Sequence, residues 1–450
     1  MTRDSAKVAR ETADESWKQP WNVSFDARPD EKVAITMNIA GGIDVPLVLG
    51  GAVGEFVEDA EVNGRKLEKN ATSFDVPECK KACTIRYVFA HGRAATAIGD
   101  TDTASRGPGF TWVNGPLLLL HPMHGDPRTN IEIHLSKDIV TPLPSISESE
   151  PNVVRVNLLD VERIPYIFFG MGARMVSRDK MTVRAVVPKP FASRPEEMDR
   201  WIARSMDIVG SYYGHFPMGP VALGLVPEPG DETRFGLTRP GVGAAIVIYL
   251  GEKMKLEDDW VLVHEMIHLG FPTLPREYRW IEEGLATYIE PLAKSRVGVQ
   301  TEAAAWADLA AHMPLGVVPK GSPSLGGTRH GAWRRMYWGG AIVMMLTDLE
   351  IRKRTENKLG LEDALRAVLD AGGNDGEHWT LEQVVQAMER VVPKGWLLEW
   401  FKHHHESAAT FDLDAIWKRM GVRIDGKNVT FDDRAPEAAF RREISRSRRN

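Results

Sequence analysis

Residues 258–290 read DDWVLVHEMIHLGFPTLPREYRWIEEGLATYIE. Asp258 and Asp259 suit the start of a helix, where exposed amides favour acidic groups, and Gly270 and Pro272 suit its end. Within that helix His264 and His268 are about one turn apart, roughly 5.4 Å along the axis, so both imidazoles project from one face. Two such nitrogens can bind one Zn²⁺ at about 2.0–2.1 Å each. Glu265 follows the first histidine and points beside the metal, where a carboxylate can take a proton from water. Catalytic zinc sites need a third protein ligand. A second helix opening at Pro275 offers two candidates, Glu282 and Glu283, and Gly284 beside them leaves room for a closely packed neighbour. The pentad alone recurs by chance. What gives it weight is a capped apolar helix followed at once by a carboxylate-bearing one.

The composition of the chain, 43% hydrophobic and 26% charged, is that of a soluble globular protein. Its 450 residues exceed one ordinary core and imply two or three domains. A net charge of −6 and a pI near 6.2 give no electrostatic case for nucleic acid or an anionic membrane. No apolar run is long enough for an integral membrane segment. The first twenty residues lack an apolar leader, so the chain is read as cytoplasmic or as an exported form with its leader removed. The only two cysteines, Cys79 and Cys83, flank a tight turn, and their proximity favours a disulfide. That points to a periplasmic or extracellular location.

From 20 to 187 short alternating runs such as KVAITMNI and TIRYVFA are separated by Gly, Pro and Asp, as in an antiparallel sandwich or barrel. Residues 188–355 mix helices with two strand-like runs, and 356–450 read as amphipathic helices with a frayed basic tail, RREISRSRRN. The fold class is therefore multidomain α+β: a β-rich N-terminal domain, a mixed catalytic domain and a helical C-terminal part. The run GAAIVIYLG at 243–251 is expected at a sheet edge, where an extended peptide could add as a strand. His403, His404 and His405 stand on consecutive positions about 100° apart and read as a solvated helix end rather than a metal site.

HEMIH followed by WIEEGLATYIE resembles the HExxH and NEGFA pair of the alanyl aminopeptidases. It is more similar still to the SEGF segments of the glycyl aminopeptidase family. Both are gluzincin metallopeptidases, and the resemblance implies a thermolysin-like zincin catalytic domain. By that match Glu283 is the third zinc ligand and Glu290 an acid that orients a zinc histidine. The segment MYWGGAIVMM resembles the YEKG segment of these families, which makes Tyr337 the hydrogen-bond donor to the oxyanion. Two features depart from the pattern. The alanyl aminopeptidases space the second histidine and the glutamate more widely, and the amine-binding GAMEN motif is absent, with Ile246 where its glutamate would stand.

The expected function is zinc-dependent hydrolysis of a peptide or protein substrate, with one Zn²⁺ per chain, Glu265 as general base and Tyr337 stabilising the oxyanion. An aminopeptidase must pair the substrate ammonium with a carboxylate, for which Glu282 and Glu232 are candidates. The alternatives are an endopeptidase of the same fold and a zinc-containing binding module. The last has no use for Glu265.

Overall fold

The computed structural model describes residues 19–446, apart from 44, 52–53, 68, 71–72, 125, 127, 171, 179, 320, 328–331 and 409. It is a mixed α+β protein with a β-rich N-terminal part and a helical C-terminal part. The chain divides into two compact units. One comprises 1–177, 182–195 and 219–254, and the other 178–181, 196–218 and 255–450.

In the first unit, alternation does the sorting. Val33, Ile35, Met37 and Ile39 of Lys32–Ile39 point inward while their neighbours face out, and Trp21, Val23 and Phe25 do the same on Trp21–Arg28. These two strands lie at the centre of an eight-stranded sheet. Cys79, in a short turn, and Cys83, opening Cys83–Phe89, are buried and joined by a disulfide, their Cα atoms 5.1 Å apart.

The same unit holds a five-stranded mixed sheet of β1 (Ala173–Arg178), β2 (Met181–Val186), β3 (Val221–Glu228), β4 (Thr233–Gly241) and β5 (Gly243–Gly251), in the order β1-β2-β3-β5-β4. β2, β3 and β5 run parallel, and β4 lies antiparallel on the rim. Residues 243–251 are therefore not an edge strand, contrary to the expectation from sequence. The reason is the tight reversal at Gly243. Its φ is +77°, and a Cβ there would lie 2.8 Å from the Pro220 carbonyl oxygen, so only glycine fits. The reversal folds β4 back along the whole of β5, and any peptide adding to this side would pair with β4.

The second unit carries most of the helices. α1 (Pro195–Tyr213) begins at a proline with Glu196 and Glu197 in its first turn, and gives way to Gly214 at φ +90°. α2 (Val261–His268) is capped by Asp259, whose carboxylate accepts from the amides of Val261 and Leu262 at 3.3 and 3.1 Å. α3 (Arg279–Arg296), α4 (Glu302–His312), α5 (Gly340–Arg354) and α6 (Leu361–Asp370) follow. α5 is preceded by a π-helical turn over Arg335–Gly339.

α3 and α5 touch backbone to backbone. A Cβ on Gly284 would lie 2.6 Å from the Gly340 Cα, and one on Gly340 would lie 2.8 Å from the Gly284 Cα. A buried network reinforces the contact. The Asp348 carboxylate accepts from Tyr288 at 3.1 Å and from Arg352 at 2.9 Å, and Arg352 also donates to Glu362 on α6 at 3.0 Å. Gly284→Ala is expected to cost at least about 1–3 kcal/mol, the usual range for overpacking, because backbone rather than a flexible side chain must give way. Urea unfolding measures it, and an unchanged midpoint would mean that the two helices part freely.

Two expectations near the C-terminus change. His404 is buried, with its pKa pushed down to about 4 by burial, and the His405 ring accepts a hydrogen bond from the Trp280 indole at 3.3 Å, so of the three histidines only His403 is exposed as expected. The basic tail starts as a helix, Ala438–Ser445, whose buried Arg441 bonds Asp433 at 2.6 Å; residues 447–450 lie outside the described ones.

Candidate metal centre

His264 and His268 project from one face of α2 with ring centroids 5.1 Å apart, and Glu283 on α3 meets them. Its Oε2 lies 3.5 Å from His264 Nε2 and 3.6 Å from His268 Nε2, and one donor atom from each of the three residues falls within a 4.8 Å set. Ligands at about 2.0–2.1 Å around a tetrahedral zinc are roughly 3.3–3.4 Å apart, so these separations suit a shared ion. Glu283 is 4% exposed, and its Oε2 has no hydrogen-bond partner among the described residues, nor does His264 Nδ1. A buried carboxylate oxygen that makes no hydrogen bond while facing two imidazoles needs an explanation, and a cation supplies it. Two histidines and a glutamate are also a donor set that zinc takes in catalytic sites. The residues fit the group.

Charge in the site follows from burial and these neighbours. Burial pushes the Glu283 carboxyl up, but His264 and His268 outweigh it and hold it well below the usual range. Burial likewise presses His268 down, yet Glu283 lifts it to about 9. Glu265 is buried at 8% exposure. The Tyr337 ring stacks on His264 at 5.7 Å and 13° between planes. Burial, then the charges of Glu283 and Glu265, raise its phenol far above the ordinary value, so it remains a neutral hydroxyl. Trp260 meets His264 edge-on at 5.7 Å and Trp333 meets Tyr337 edge-on at 6.3 Å, and both indoles are about half exposed.

No family model and no curated protein matches the sequence. The structure does have likenesses. It is similar to an aminopeptidase N family protein from Idiomarina loihiensis with a TM-score of 0.63 at 14% identity, covering 90% of this chain and 79% of that one. The likeness is one of fold. An M1 zinc metallopeptidase from Deinococcus radiodurans also overlaps, with a TM-score of 0.48, 16% identity and coverage of 87% of this chain and 94% of that one.

Within this fold, the structure brings His264, Glu265, His268, Glu283 and Tyr337 onto neighbouring turns. Among the described residues no hydrogen bond or ion pair joins Glu290 to either histidine. That carboxylate pairs with Lys294 at 3.0 Å, one turn further along α3, and burial lifts its pKa to about 7. Seven residues beyond Glu283 is about 10 Å along a helix. Glu282 is also engaged: its Oε1 accepts from the Leu274 amide at 2.9 Å, which pins the loop before α3. Glu232 is exposed at the head of β4, in the first unit.

Two residues near the centre escaped the sequence reading. Arg279 donates its Nε–H to Glu283 Oε1 at 3.3 Å from one turn upstream. That i,i+4 spacing is visible in REYRWIEE, though arginine at a helix start ordinarily reads as surface. Asp375 lies on a loop that bonds back to the end of α2, its amide to the Leu269 carbonyl at 3.3 Å and the Thr273 amide to the Glu377 carbonyl at 2.9 Å. Nothing local in sequence signals such a return.

Proposed function

We propose that this chain is a zinc-dependent peptidase, acting as an aminopeptidase and holding one Zn²⁺ between His264, His268 and Glu283. The convergence of two imidazole nitrogens on a Glu283 oxygen that makes no hydrogen bond, with Glu265 and Tyr337 on adjoining turns, carries this reading. The likeness to an aminopeptidase N family protein supports it. When bound, zinc supplies a Lewis acid that polarises the scissile carbonyl and acidifies water. Glu265 takes the proton of the attacking water and hands it to the leaving amine. The Tyr337 hydroxyl donates to the carbonyl oxygen as negative charge develops on it. The Cys79–Cys83 disulfide favours work in an oxidising compartment, as in an exported protein.

Endopeptidase action is the second reading, favoured by the engagement of Glu282 with the Leu274 amide, which leaves it less fit to bind a substrate ammonium. Fluorogenic peptides offered free and N-acetylated, with and without chelator, separate the two. We expect chelator-sensitive release of N-terminal residues from free peptides alone. Internal cleavage of acetylated peptides at similar rates establishes the endopeptidase. Hydrolysis indifferent to chelator overturns both.

A further inference from the structure

We infer that Arg279 is a positioning residue for the metal centre, holding Glu283 so that it offers Oε2 alone to the ion. The inference rests on the metal-centre reading above. A carboxylate has two oxygens of equal donor power, and an unconstrained glutamate can swing to present both to a metal. Here the two are made unequal. Oε1 accepts from Arg279 Nε at 3.3 Å, while Oε2 faces both histidines and has no hydrogen-bond partner among the described residues. The spacing is one helical turn, so α3 itself sets the angle at which the guanidinium reaches the carboxylate. Arg279 is about half exposed and Glu283 6% exposed at the side chain, so the bond protects its acceptor more than its donor. Partners that fix ligand orientation in this way typically govern metal affinity by about 10–100-fold.

The geometry also singles out which atom of Arg279 matters. Nε occupies the fourth position along the side chain, the place of the amide nitrogen in glutamine and of the terminal methyl in methionine. Arg279→Gln therefore keeps an N–H at the bonding position without the charge, and Arg279→Met keeps the bulk without either. A residue acting only as a nearby charge treats the two substitutions alike. A positioning donor does not.

The test is competition for Zn²⁺ between metal-free protein and a chromophoric chelator, together with the visible absorption of the Co²⁺-substituted protein. In Arg279→Met we expect zinc affinity to fall about tenfold or more, and the Co²⁺ bands to weaken as Glu283 binds through both oxygens. In Arg279→Gln both should stay near wild type. Equal losses in the two variants, unchanged affinity and spectrum in Arg279→Met, or tighter zinc binding there would each overturn the inference, the last by making Arg279 a repelling charge. Wild-type protein serves as the separate control. If it binds zinc no better than His264→Ala does, the metal-centre reading falls and the inference with it; if it binds and Arg279→Met matches it, the inference alone falls.

Discussion

Glu265→Gln is expected to remove about 10²–10⁴-fold of turnover while zinc content and melting temperature stay near wild type. Glutamine has the outline of glutamate, so the buried space beside His264 remains filled. What disappears is the capacity to accept a proton. Neither metal ligation nor substrate contact requires that capacity, and the chemistry cannot proceed at speed without it. The measurement pairs kcat on a fluorogenic peptide with elemental analysis and calorimetry on the same preparation. A variant that keeps zinc and works within tenfold of wild type would move the general base elsewhere. One that loses zinc would make Glu265 a structural member of the centre.

Tyr337→Phe should lower kcat by about 10²–10³ and leave KM little changed, because the lost hydrogen bond forms mainly as the carbonyl oxygen gains charge. Phenylalanine retains the ring, and with it the stacking on His264. The experiment thus isolates one O–H. A raised KM at constant kcat would mean that the hydroxyl binds substrate in its ground state. With the phenol held far above its ordinary pKa, the slowing should also be constant across neutral pH.

The legibility of the site tracked how local its residues are. His264, Glu265 and His268 share one helix, and their spacing alone predicts a common face. Glu283 needed more, since Glu282 is equally acidic and adjacent. The structure separates them by what each carboxylate meets, two imidazoles in one case and the Leu274 amide in the other. Tyr337 carried no local signal beyond its resemblance to a family motif, because a tyrosine at the head of an apolar helix is ordinarily core. Asp375 is placed by backbone bonds from a distant loop, which no periodicity encodes.

The fold shows the same gradient. The alternation of the N-terminal strands and the acidic start of α2 were readable. The position of β5 was misjudged for a reason that is itself physical. Its residues 244–248 are buried without alternation, the pattern of a strand covered on both faces and flanked on both sides, and an edge strand seldom reads that way.

The glycine contact between α3 and α5 has a consequence for how this centre can change. Gly284 directly follows the glutamate that faces the histidines, and Gly340 comes three residues after Tyr337. The two glycines therefore act as an index mark, setting the register of one functional side chain against the other. Lengthening either helix, or admitting a methyl at the crossing, would displace glutamate and tyrosine together. A lineage carrying this crossing can respace the centre only by remaking both helices in concert.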